Sequence, residues 1–99
     1  MRAIHLARLD KTRPVLILTR EAASGARDVT VAAITSTIRG VATEVPVGKA
    51  NGLDHDCVVN LDDVQTIRRD DLHRFLGYLE AKQEPDLRRA LIRAFDLDD

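Results

Sequence analysis

Ninety-nine residues, 44% apolar and 31% charged, describe a single domain, 1–99, with one modest core, and exclude a disordered chain. A net charge of −1 and only three aromatic residues argue against nucleic-acid binding by bulk charge or by a stacking platform. One cysteine, Cys57, excludes an internal disulfide and a cysteine-based zinc site; with no membrane-length apolar run and no signal-peptide core, the expectation is a cytoplasmic protein with no membrane partner.

Residues 4–9 read as the first strand, ended by Asp10-Lys11-Thr12, a polar tripeptide suited to a tight turn. Arg13-Pro14 opens a second strand over 15–19, too apolar for a solvent face along its middle; proline is tolerated at a strand's first residue. Residues 21–28, with Ser24-Gly25, read as a loop. Residues 29–35 are a β-branched run that stops at Thr35-Ser36-Thr37, the pattern of a strand buried on both faces that surfaces at its end. Hydroxyls so placed either meet a ligand or only begin a turn before Gly40.

A fourth strand is expected over 41–47, at an edge because it holds Pro46, followed by a loop over 48–56 with Asn51-Gly52. A long fifth strand, 57–67, carries an acidic interruption at Asp62-Asp63, and Cys57 at its start is expected to fill core space. One helical turn over 68–71 and a last strand over 75–79 follow. Pro85 fits the first turn of a helix running to about Leu97, with Leu87, Ala90, Leu91, Ala94 and Phe95 forming its apolar stripe. The fold class is therefore mainly β: a small, partly open barrel of five to six strands with a C-terminal α-helix.

No glycine-rich phosphate loop follows a strand. His5, His55 and His73 are scattered without metal-ligand spacing, and the neighbouring carboxylates of Asp62-Asp63 would point to opposite faces of a strand, so no metal site and no cofactor are expected. Charge is uneven: residues 1–48 carry seven Lys/Arg against four Asp/Glu, residues 49–99 eight against twelve. The basic half holds Lys11, Arg13, Arg20 and Arg39, room for a local anion site. A fixed arginine at Arg13 and a hydroxyl at Thr35, each at the end of a buried strand, could stabilise a phosphorane-like transition state without metal or histidine.

The segments Arg13-Pro14-Val15-Leu16-Ile17-Leu18, Val31-Ala32-Ala33-Ile34-Thr35-Ser36 and Val58-Val59-Asn60-Leu61-Asp62-Asp63-Val64-Gln65-Thr66-Ile67 together resemble the MazF/PemK family of toxin endoribonucleases, from about residue 4 to residue 95. The resemblance implies an SH3-like barrel, a homodimer, metal-independent cleavage of single-stranded RNA at a short sequence, and neutralisation by a cognate antitoxin. It makes Arg13 and Thr35 the catalytic pair, with Ser36 matching the small or hydroxyl residue that follows the family's threonine. Around them Lys11, Thr12, Ser36, Thr37, Arg39 and Gln65 are the candidate RNA-binding residues. Three departures stand out. The family's opening Arg-Gly-Asp pattern is reduced to Met1-Arg2-Ala3-Ile4-His5, the loop before Arg13 has shrunk so that Asp10 alone can supply its acidic residue, and Asp62-Asp63-Val64-Gln65 stands where Asp-Gln-x-Arg is usual. Two other readings of the same fold are a CcdB-like gyrase poison, which needs no Arg/Thr pair, and an inactive barrel that only binds a partner.

Overall fold

The structure, a computed structural model, describes residues 1–23 and 25–98. The expected loop around Ser24 lies in part outside the described residues. Six strands, β1 (Ala3–Arg8), β2 (Thr12–Ile17), β3 (Asp28–Thr35), β4 (Glu44–Val47), β5 (Cys57–Arg68) and β6 (Leu72–Tyr78), precede one helix, α1 (Glu84–Phe95). They form an antiparallel sheet in the order β4-β5-β3-β2-β1-β6, curled into the partly open barrel that the strand spacing implies.

The β-branched run of β3 is buried on both faces, as its sequence demands. Ala32 and Ile34 join Ile4, Leu16, Val45, Val59 and Leu61 in the larger core, which α1 covers with Leu87 and Ala90. Val29 and Val31 face the other way, with Ala7 and Val15 in a smaller cluster. Cys57 fills space in the larger core, and burial pushes its thiol up.

Several boundaries differ from the sequence reading. β2 runs over Thr12–Ile17 and not over 15–19, so Thr12 belongs to the strand and not to the turn before it. β4 begins at Glu44 and not at residue 41, because the Glu44 carboxylate draws residues 39–41 into a turn. β6 starts earlier, at Leu72, which pairs with Ala7. α1 ends at Phe95, where Asp96 takes a left-handed conformation (φ 54°) and its N–H caps Ile92. Phe95 is 53% exposed and not part of the core. Eight residues beyond Leu87 it has turned about 80° from it around the helix, to the edge of the stripe.

The acidic interruption in β5 is a bulge. Ala32 pairs with Val64 but Ala33 with Asn60, so Leu61, Asp62 and Asp63 have no partners on β3. Leu61 turns into the core and the two aspartates are exposed.

The sheet's two edges are tied together where Asn51-Gly52 meets β6. A Cβ on Gly52 would sit 2.0 Å from the Leu76 carbonyl oxygen, and one on Gly77 2.3 Å from that of Asn51. Asn51, 1% exposed, accepts the Gly48 N–H at 3.0 Å and donates to the Tyr78 carbonyl at 2.9 Å and to Gln83 Oε1 at 2.7 Å. Gln83 returns a bond to Asn51 Oδ1 at 3.3 Å.

Candidate active site

The ladder between β2 and β3 brings Arg13 and Thr35 to the same end of the sheet. Val15 pairs with Ala33, Leu16 with Ala32 and Ile17 with Val31. The paired register ends at Val15 and Ala33; continued two residues toward the β1–β2 turn, it would set Arg13 across from Thr35, on the face shared with Val15 and Ala33. Pro14 pairs with Leu6, and Val15 and Leu16 are fully buried, so Arg13 rises from a rigid strand.

Its guanidinium is oriented by Asp10. Arg13 Nε donates to Oδ1 at 3.1 Å and Nη2 to Oδ2 at 3.3 Å, a two-pronged pair that fixes the plane of the group. The Arg13 hydrogen bond holds the Asp10 carboxyl below its ordinary value; Asp10 in turn raises that of Arg13 against a smaller desolvation effect, and the charge of Asp63 adds to the rise. Among the described residues Nη1 has no partner, which leaves one edge of the fork available to a ligand oxygen. Lys11 stands exposed in the adjoining turn, and Thr12, also exposed, opens β2 and pairs with Arg8.

Thr35 Oγ1 accepts the Thr37 N–H at 3.1 Å, so the hydroxyl keeps its own proton to donate. Ser36 and Thr37 follow it, exposed. Arg39 lies further toward β5, with Nε 3.3 Å from Glu44 Oε2 and Nη2 3.4 Å from Asp62 Oδ2. Its charge is shared between two carboxylates. Gln65 pairs with Val31, four residues along β3 from Thr35, and donates to Asp63 Oδ1 at 3.3 Å. The structure thus gathers Arg13, Thr35, Lys11, Thr12, Ser36 and Thr37 at one end of the sheet and engages Arg39 and Gln65 with the acids of the β5 bulge.

The sequence reading gave Asp63 no part beside Arg13 and did not single out Glu44, and it offered Asp10 only as a stand-in for a missing loop acid. The three-residue spacing of Asp10 and Arg13 across a tight turn was the available signal for that pair; none marked Glu44. The histidines lie elsewhere. His5 Nδ1 donates to the His73 carbonyl at 3.0 Å, and its ring meets Phe75 edge-on at 5.5 Å, with Tyr78 a further 5.0 Å away. His55 pairs with Asp54. Among the described residues no group of three or more His, Cys, Asp or Glu could hold a metal ion, and no helix is long and apolar enough to cross a membrane.

Residues 5–95 match the family model described as PemK-like, MazF-like toxin of type II toxin-antitoxin system. The chain is 59% identical over 99 residues to Endoribonuclease MazF3 of Mycobacterium tuberculosis, covering 99% of this chain and 96% of that one. Its structure is similar to that of the Mycobacterium tuberculosis toxin MazF-mt6, with a TM-score of 0.97 at 57% identity over 99% of this chain and 100% of the other. It is also similar to an endoribonuclease in complex with its cognate antitoxin from a mycobacterial species, with a TM-score of 0.87 at 26% identity, covering 98% of this chain and 94% of that one.

Proposed function

The chain belongs to the PemK-like, MazF-like family of type II toxins and is an endoribonuclease, and from that premise we propose that Arg13 and Thr35 carry out the cleavage. The observation that supports this most is that antiparallel β2 and β3 bring the start of one and the end of the other, an oriented guanidinium and a proton-bearing hydroxyl, to the same end of the sheet. The substrate is single-stranded RNA. Its 2′-oxygen attacks the adjacent phosphorus, the bond from phosphorus to the 5′-oxygen breaks, and the 2′-hydroxyl proton ends on that leaving oxygen. The products are a 2′,3′-cyclic phosphate and a 5′-hydroxyl. Arg13 neutralises the charge that gathers on the non-bridging oxygens, and Thr35 donates to one of them. Neither role requires a metal ion. Lys11, Thr12, Ser36 and Thr37 line the approach to this pair, and Arg39 and Gln65 lie toward the β5 bulge.

Two chains form a homodimer, which covers otherwise open sheet edges. The cognate antitoxin brings an acidic segment to Lys11 and Arg13 and competes there with RNA, less effectively as salt rises.

The test is one long defined RNA incubated with the purified protein in chelator, with every cut end mapped and its chemistry read. Cyclic-phosphate and 5′-hydroxyl ends at a short repeated sequence are expected. Cleavage only on addition of a divalent metal, or 5′-phosphate ends, would remove the mechanism; intact RNA with trapped gyrase would favour the CcdB-like reading.

A further inference from the structure

Beyond Thr35 the chain runs through residues 36–43 without regular structure, and one carboxylate gathers that segment. Glu44, whose side chain is 3% exposed, accepts the backbone N–H groups of Arg39 at 3.1 Å, Gly40 at 2.9 Å and Val41 at 3.5 Å, and the Arg39 Nε at 3.3 Å. Gly40 makes this convergence possible with φ 73°, since successive N–H groups point to one spot when a left-handed residue follows a right-turning one. Such a concavity is an anion site, here filled by the chain's own side chain. Desolvation opposes ionisation of Glu44, but the Gly40, Arg39 and Val41 N–H groups and the Arg39 side chain outweigh it, and the carboxyl lies below its ordinary value. Arg39 Nη2 then reaches Asp62, which also accepts the Thr43 hydroxyl at 2.7 Å, fastening the segment to the β5 bulge.

Glu44 touches neither Arg13 nor Thr35 in any of these contacts, so the cleavage chemistry gives it no task. Yet Ser36, Thr37 and Ile38 are exposed, with Ile38 at 54%, and the Thr37 N–H on Thr35 Oγ1 is what joins the segment to the catalytic hydroxyl. We infer that Glu44 is a positioning residue for RNA cleavage: by closing the turn at Gly40 it fixes the segment whose Thr37 N–H aims the Thr35 hydroxyl. This rests on the proposed role of Thr35. A hydroxyl free to rotate must be ordered in each transition state, whereas one already held is preorganised.

The test is a double-mutant cycle on kcat and KM for RNA cleavage, using the wild type, Thr35→Ala, Glu44→Gln and the double variant, with thermal unfolding of each as the folding control. Glu44→Gln keeps one acceptor oxygen and loses the charge and the second acceptor. The expected result is a kcat lowered about tenfold in Glu44→Gln with KM within about threefold, and no further loss when it is added to Thr35→Ala. A kcat at the wild-type value, or losses that multiply in the double variant, would overturn the inference while leaving Thr35 catalytic. Thr35→Ala at the wild-type rate would remove the reading on which it rests. Should Glu44→Gln fail to fold, Glu44→Asp, which keeps the charge at shorter reach, goes through the same cycle under the same criteria.

Discussion

The Arg13 end of the sheet and the Asn51 junction are built from the same kind of residue, polar side chains at the ends of strands, yet they spend their hydrogen bonds differently. At the junction the amide of Asn51 is used on both sides, toward Gly48, Tyr78 and Gln83. At the other end Arg13 commits Nε and Nη2 to Asp10 and leaves Nη1 open, and Thr35 accepts a bond while keeping its proton. A buried polar group with no partner would be costly, so the junction closes its account internally. The exposed end can leave capacity unspent because water satisfies exposed donors. Under the proposed function those unspent donors meet the substrate, a difference between an open end and a closed one that composition alone does not make.

The sharpest break of that comparison is at Gly52. Replacing it with Ala puts a Cβ into the Leu76 carbonyl at a position whose φ is 88°. The expected cost is about 3 kcal/mol or more, a fall in Tm of roughly 12 °C or more on thermal unfolding. Arg13→Ala should do the opposite, with kcat/KM for RNA cleavage lowered about a hundredfold or more and Tm hardly moved, because the residue stands at a strand end outside the core. Arg13→Lys should recover only part of the loss, as a point charge cannot reproduce a two-pronged contact. Retained cleavage in Arg13→Ala would show that the open Nη1 edge has no catalytic use. Asn51→Ala comes third: it strands the Tyr78 carbonyl and the Gly48 N–H in a half-buried setting, which should cost about 2 kcal/mol in thermal or denaturant unfolding while cleavage per folded molecule stays within about threefold.

The strands that meet at the Arg13 end were legible in the sequence because their determinants are local. Arg13-Pro14 followed by an apolar run, and a β-branched run ending in hydroxyls, each carry a strand and its exposed end in a few residues. The junction was not legible, since Asn51 and Gln83 are 32 positions apart and an Asn-Gly pair in a long loop reads first as a turn. The bulge was visible as Asp62-Asp63, but a bulge and a break in a strand look alike until the partner strand is known. Glu44 sat inside what read as the middle of a strand. Its backbone does pair, with Asn60, but its side chain turns back to the N–H groups of residues 39–41, an arrangement that includes a left-handed Gly40, which sequence permits without requiring.

The smallest expected effect is at Asp10, which lies at the Arg13 end but, like the groups of the junction, is committed to a partner within the chain. Asp10→Asn removes a charge and keeps the shape. Losing the charged pair lets the guanidinium turn, which should lower kcat several-fold; removing a negative charge beside the phosphate site should lower KM as well. The two changes partly cancel in kcat/KM, so the split between the constants is the informative measurement. The pH dependence follows from the lowered Asp10 value. The ion pair is fully formed above the ordinary carboxylate range and is lost only as pH falls through the lowered value, so the wild type should keep its kcat advantage over Asp10→Asn throughout neutral and mildly acid pH and lose it only below that range. An unchanged kcat, or a KM that rises, would mean that Asp10 does not aim Arg13, and that the fork's orientation comes from the strand alone.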